Sequence, residues 1–272
     1  MPVAPELEPY CTPPGEGATE MPDLAELRPM FEAMASMWDL AEPSALRSTE
    51  HRTVPGPAGE IPVVVYTPEG EGPRPLVLFI HGGGFFLGSP HSHGPVAREI
   101  AARSGRVVVS VDYRLTPEHE FPAAVDDCFA ALQWVAANAA DLGGDPAHIA
   151  VCGDSAGGNL SAVLALRARG EGGPAIEAQA LIYPVTDSAC DSVSMVDNAE
   201  GYMLTASSMQ WMWSMYVPDE GEAYAAKLAA AGVTVQQVRF DGMIHGFVQM
   251  LNVTPRASEA IDLVASHLRA HA

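Results

Sequence analysis

The sequence predicts an α/β fold with a mostly parallel central sheet. Three observations carry that reading. Short, largely apolar segments recur at Pro75–Ile80, Arg106–Val111, Ile149–Cys152 and Gln179–Tyr183, the first of them unbroken, as expected of strands buried on both faces. Helical periodicity fills the stretches between them. Glycine-rich turns follow two of the runs, at the carboxyl ends where such sheets gather their ligands.

The elements follow in order. Residues 1–47 stand apart, with frequent Pro and Glu up to Glu20. Pro22–Leu40 then reads as a helix presenting Leu24, Leu27, Met30, Phe31, Met34 and Trp38 on one face, which must cover either the core or a pocket mouth. Thr49–Pro55 and Gly59–Thr67 are extended segments around a Pro-Gly turn, and Ile61, Val63 and Val65 alternate as in an antiparallel strand. Helices are expected over Val96–Arg103, Pro122–Ala140 and Ala156–Arg169, with a last extended segment at Val233–Phe240 and an amphipathic C-terminal helix. Alternating strands and helices imply right-handed parallel crossovers. The division is therefore an N-terminal helical cap segment, 1–47, and a core, 48–272, with residues 186–218 contributing to the cap.

Composition narrows the function classes. The 272 residues suit one large domain. With 48% hydrophobic and 18% charged residues, the chain is neither disordered nor a coiled coil. A net charge of −20 argues against nucleic acid as a partner. No apolar run is long enough to span a bilayer, and the N-terminus lacks a basic and an apolar signal region. Cys11, Cys128, Cys152 and Cys190 form no C-x-x-C pair, so reduced thiols in the cytoplasm are expected.

Gly153-Asp154-Ser155-Ala156-Gly157 fits G-x-S-x-G between a buried strand and a helix. That context makes Ser155 a candidate nucleophile on a tight turn. His81-Gly82-Gly83-Gly84-Phe85 follows another buried strand. Bare backbone N–H groups there, with that of Ala156, can stabilise an oxyanion. Of the nine histidines, His51, His119 and His148 precede the nucleophile beside strands or turns, and His267 and His271 sit on the last helix. His91 and His93 form an H-x-H before a helix, better suited to loop hydrogen bonds than to a metal. His81 is expected to brace its loop. His245 lies in a loop just after the extended segment Val233–Phe240, where the general base of a serine triad belongs.

These motifs, with Tyr113-Arg114-Leu115-Thr116-Pro117-Glu118-His119, Phe121-Pro122-Ala123-Ala124, Gly158-Asn159 and His245-Gly246-Phe247, make the chain resemble the hormone-sensitive-lipase-like esterases. The resemblance implies an α/β-hydrolase fold with a small helical cap. It implies hydrolysis of short to medium acyl esters through an acyl-serine, with Gly82, Gly83 and Ala156 as the oxyanion hole. A small-molecule ester is the implied partner, with no cofactor and no metal, and a homodimer stays open. One departure stands out. The strand and Asp-Pro-Leu turn that carry the family's triad acid are lacking before Asp219, because Tyr216-Val217-Pro218 runs straight into the helix expected over Asp219–Ala231. Asp187 and Asp219 are the substitute acids, Asp187 the better placed. Val233–Phe240 is expected to close the gap by pairing with Gln179–Tyr183, leaving a weakly active Ser155–His245 dyad. The alternatives are a binder of small molecules without catalysis, as in a plant hormone receptor of the family, and an amidase.

Overall fold

The computed structural model describes residues 3–11, 23–186, 193–215 and 232–271. Its six-stranded sheet has the order β1-β2-β4-β3-β5-β6. The strands are β1 (Ser48–Gly56), β2 (Gly59–Thr67), β3 (Arg74–Ile80), β4 (Val107–Val111), β5 (Gly144–Asp154) and β6 (Ala178–Ile182). β1–β2 and β2–β4 pair antiparallel, while β4–β3, β3–β5 and β5–β6 pair parallel. The main helices are α1 (Leu24–Met37), α2 (Gly94–Ser104), α3 (Ala123–Ala137), α4 (Ala156–Glu171), α5 (Val193–Asp197), α6 (Ala206–Met215) and α7 (Pro255–Ala270).

The central stretches of the inner strands, Leu76–Ile80, Val107–Val111 and Ile149–Cys152, are almost wholly apolar because both faces are covered. Leu76, Leu78, Ile80, Val107, Val109, Ile149 and Val151 face a core shared with α3 and α4. Val77, Phe79, Val108, Ala150 and Cys152 face the opposite core with α2 and α7. In β2, Ile61, Val63 and Val65 join the first core, and Val64 and Tyr66 the second. The chain leaves β3 for α2 on one face and β5 for α4 on the other. The crevice between the carboxyl ends of β3 and β5 is thus a topological switch point.

Two expectations about the far edge need correction or fall outside view. Val233–Phe240 does not pair with β6; it forms no strand, and Val233, Val235 and Val238 are exposed. The physical reason is that an unpaired backbone costs little while water reaches it. The segment also leads into a loop fixed by other means. Ala4 donates its N–H to Gly242 O at 3.0 Å, and Asn252 donates to Trp38 O. Leu7, Trp38, Ile244 and Met250 pack into one small buried cluster. The N-terminal segment, rather than a sheet ladder, holds this loop. The expected helix Asp219–Ala231 lies outside the described residues.

Candidate active site

Ser155 sits between the end of β5 and the start of α4 with φ 53° and ψ −119°. A non-glycine residue holds that conformation only when its surroundings enforce it. Here Ser155 N–H donates to Ile182 O at 2.9 Å, while its carbonyl accepts from Val185 N–H and Asn159 N–H at 3.1 Å each. A Cβ at Gly157 would overlap the Ile80 carbonyl oxygen, so β3 and α4 approach too closely there for any side chain. That contact explains the glycine two residues after Ser155 and holds the serine turn close against the end of β3.

His245 Nε2 lies 2.7 Å from Ser155 Oγ, so the structure brings the two together although they are 90 residues apart. The His245 ring packs on Tyr183, centroids 4.6 Å apart. Burial pulls its pKa from 6.5 down to about 4, with the charge of Asp154 acting in the opposite sense. A neutral imidazole can accept the serine proton. Among the described residues, no carboxylate bonds the His245 ring. Asp187 and Asp219 lie outside the described residues.

The glycine loop after β3 arrives beside the serine. A Cβ at Gly83, which has φ +108°, would overlap the Leu87 carbonyl. Gly83 O accepts from Phe86 N–H and Leu87 N–H at 3.1 and 2.8 Å, curling the loop into a turn. The expectation for Gly82 needs correction, because its N–H is already engaged with Asp154 Oδ1 at 3.0 Å. The Gly83, Gly84 and Ala156 N–H groups have no acceptor among the described residues. The expected set Gly82, Gly83 and Ala156 thus differs from the set of open amides by one glycine, and the position of Asp154 makes the difference.

The other sequence motifs brace this loop. Tyr113 donates its hydroxyl to His81 O at 2.9 Å, and its ring stacks on His81 at 4.3 Å. His81 is fully buried, and burial first, then His93, lowers its pKa to about 3. Its Nδ1 lies 2.8 Å from Gly82 O. Thr116 N–H donates to Phe85 O at 2.9 Å. Arg114 donates to the buried Asp127 at 2.8 Å, tying the segment to α3. From α1, Arg28 reaches Phe86 O at 2.9 Å, Thr116 O at 2.8 Å and Glu118 at 2.7 Å. The two histidines of the H-x-H diverge. His93 is buried 3.4 Å from Asp154, whereas His91 lines a shallow surface groove with His51. Among the described residues no cluster of three or more His, Cys, Asp or Glu could hold a metal.

Over the loop lies α6. Met209, Met212 and Trp213 are buried, and the Trp213 and Phe85 rings lie 6.1 Å apart. The position of a Cβ on Gly84 lies 3.0 Å from Met212 Sδ. The α6 side chains nearest the glycine loop are thus soft and apolar.

Comparison with known proteins agrees with this arrangement. Residues 77–220 match a family described as alpha/beta hydrolase fold. Carboxylesterase NlhH of Mycobacterium tuberculosis H37Rv is 41% identical over 240 residues, covering 74% of this chain and 75% of that protein. Ethyl acetate hydrolase of Pseudomonas putida is 33% identical over 252 residues, covering 78% of this chain and 79% of its own. A hyperthermophilic esterase from the archaeon Pyrobaculum calidifontis superposes with TM-score 0.91 at 36% identity, covering 99% of each chain. No helix among the described residues is long and apolar enough to cross a membrane. With its fold, its serine turn and these relatives in agreement, the chain belongs to the hormone-sensitive-lipase-like esterases of the α/β-hydrolase fold.

Proposed function

We propose that this protein hydrolyses carboxylic esters of short to medium acyl chain through an acyl-serine intermediate. The observation that carries the reading is the 2.7 Å contact of His245 Nε2 with Ser155 Oγ on a strained turn. His245 takes the proton as Ser155 Oγ attacks the carbonyl carbon. The tetrahedral oxyanion is received by the open N–H groups of Gly83, Gly84 and Ala156, at the start of α4, where the helix dipole also favours negative charge. His245 then protonates the departing alcohol, and the acyl-serine is hydrolysed by the reverse sequence with water. No step calls for a metal or cofactor. Residues 1–47 and the stretch around α5 and α6 act as the cap, with Met209, Met212 and Trp213 meeting the acyl group. The thiols of Cys11, Cys128 and Cys152, unpaired among the described residues, fit a cytoplasmic setting.

The test is a fluorophosphonate probe together with nitrophenyl butyrate turnover. Wild type should be labelled at Ser155 and should turn over the ester, and Ser155→Ala should do neither. An unlabelled, inactive wild type would favour the non-catalytic binder. Faster turnover of a matched amide than of the ester would favour the amidase.

A further inference from the structure

Asp154 occupies the variable position of the serine turn, next to the nucleophile. Its side chain is 1% exposed, and an ion so placed is costly unless it is well paired. Two groups on another part of the chain converge on it. Gly82 N–H donates to Oδ1 at 3.0 Å. His93 Nε2 lies 3.4 Å from Oδ2. Burial works to raise the Asp154 pKa, but His93 and the Gly82 N–H outweigh it, and the carboxyl is held below its ordinary value. The group is therefore an anion at neutral pH.

Its partners are themselves fixed. His93 is fully buried, its Nδ1 is 3.1 Å from Ser92 Oγ, and its ring lies 5.5 Å from that of His81. No side chain fits at Gly82 beside Asp154, since a Cβ there would meet Oδ2 at 2.5 Å and the Asp154 carbonyl oxygen at 2.9 Å, so the glycine is what lets the loop approach the carboxylate this closely. Gly82 immediately precedes the two glycines whose N–H groups are open. Peptide planarity means that fixing the Gly82 amide limits where the next amides can point. Asp154 thus belongs covalently to the nucleophile turn while gripping the oxyanion loop.

We propose that Asp154 is a positioning residue for ester hydrolysis: with His93, its carboxylate latches the glycine loop to the serine turn so that the Gly83, Gly84 and Ala156 amides converge on one point. The inference rests on the esterase reading above. Catalysis by such donors depends on their being aimed before the charge develops. A carboxylate serving stability alone would have no such link to the transition state.

The experiment compares wild type, Asp154→Ala, Asp154→Asn and His93→Gln on nitrophenyl butyrate. It measures kcat, KM, Tm and the affinity of an alkyl boronic acid that mimics the tetrahedral intermediate on Ser155. Asp154→Ala should lower kcat by roughly 100-fold, the loss typical of one oxyanion donor, with KM changed by less than about 3-fold. Boronate affinity should fall in step with kcat/KM. Asp154→Asn, which keeps an acceptor for the Gly82 N–H, should recover most of that loss. It should also move the acid limb of its pH profile downward, because the Asp154 charge favours protonated His245. The other groups facing His245 among the described residues are Ser155 and Tyr183, whose phenol burial keeps neutral. His93→Gln should show the same pattern more weakly, and it decides the matter if Asp154→Ala does not fold. Folded variants with wild-type kcat, or with losses in Tm or KM alone, overturn the latch. A wild type that neither turns over ester nor labels at Ser155 overturns the esterase reading first, and the latch with it.

Discussion

Acidification probes the proposed general base, His245, directly. Burial lowers the His245 pKa from 6.5 to about 4, a difference worth about 3 kcal/mol between its two protonation states. The base works only when neutral, so activity rises with pH through the folded-state pKa and then levels off. At pH 5, a base of pKa about 4 retains roughly nine-tenths of its plateau, whereas an unperturbed histidine would retain about 3%. The assay is kcat/KM for nitrophenyl butyrate from pH 4 to pH 8, read at the nitrophenol isosbestic wavelength. An acid limb centred near 4 is expected. A limb at 6.5 or above would refute the reasoning, because only a negative partner at the ring could restore the proton affinity that burial removes. Stability follows the same linkage. Between pH 6.5 and 4 the unfolded chain binds this proton and the native one does not, so the contribution is intact above pH 6.5 and up to about 3 kcal/mol is lost as pH falls through that window. Urea melts at pH 7 and pH 5 should therefore differ in the same direction.

Further outcomes follow from single contacts. Ser155→Ala should remove all detectable esterase activity and leave the urea midpoint at or above that of wild type, since alanine deletes only a hydroxyl from the turn. Gly83→Val should lower kcat far more than it raises KM, because a Cβ there overlaps the Leu87 carbonyl and displaces an oxyanion donor worth roughly 3 kcal/mol; a change confined to KM would contradict it. Met212→Ala should shift the preferred acyl length upward by opening space over Gly84, checked with a series of nitrophenyl esters from acetate to decanoate. Glu177→Ala should destabilise the fold by about 3 kcal/mol in urea melts, because it strips the carboxylate 2.7 Å from the fully buried Arg106 guanidinium.

The sheet and the serine–histidine pair were legible in the sequence because each obeys a local rule. Leu76 to Ile80 and Val107 to Val111 are apolar at every position but Ser110 and are buried on both faces. Gly153 to Gly157 announces a tight turn whose geometry is set within a few residues. Other features depend on contacts across the molecule and left weaker traces. Asp154 fills a variable motif position, and nothing local reveals that Gly82 meets its carboxylate 72 residues away. The H-x-H hinted at His93, but its partner is visible only in three dimensions. Val233–Phe240 departs from the expected strand: its composition suits an extended segment, while sheet formation also needs a partner edge, and none pairs with it. Its valines face solvent instead.

The loop carrying His245 is suspended from the N-terminal segment by side-chain packing and a few hydrogen bonds, among them Asn252 Nδ2 to Met37 O across 215 residues. Phe247, Val248 and Leu251 anchor the far side of this loop in the second core, so the attachment that can open first while the sheet stays folded is the one at Ile244 and the N-terminal segment. Heat or a protease acting near the N-terminus would then swing His245 away from an intact serine turn. Inactivation would precede melting, and amide exchange around Ile244 would be faster than in β3 and β5. A spectroscopic melting curve and an activity half-life would report two different events in the same molecule.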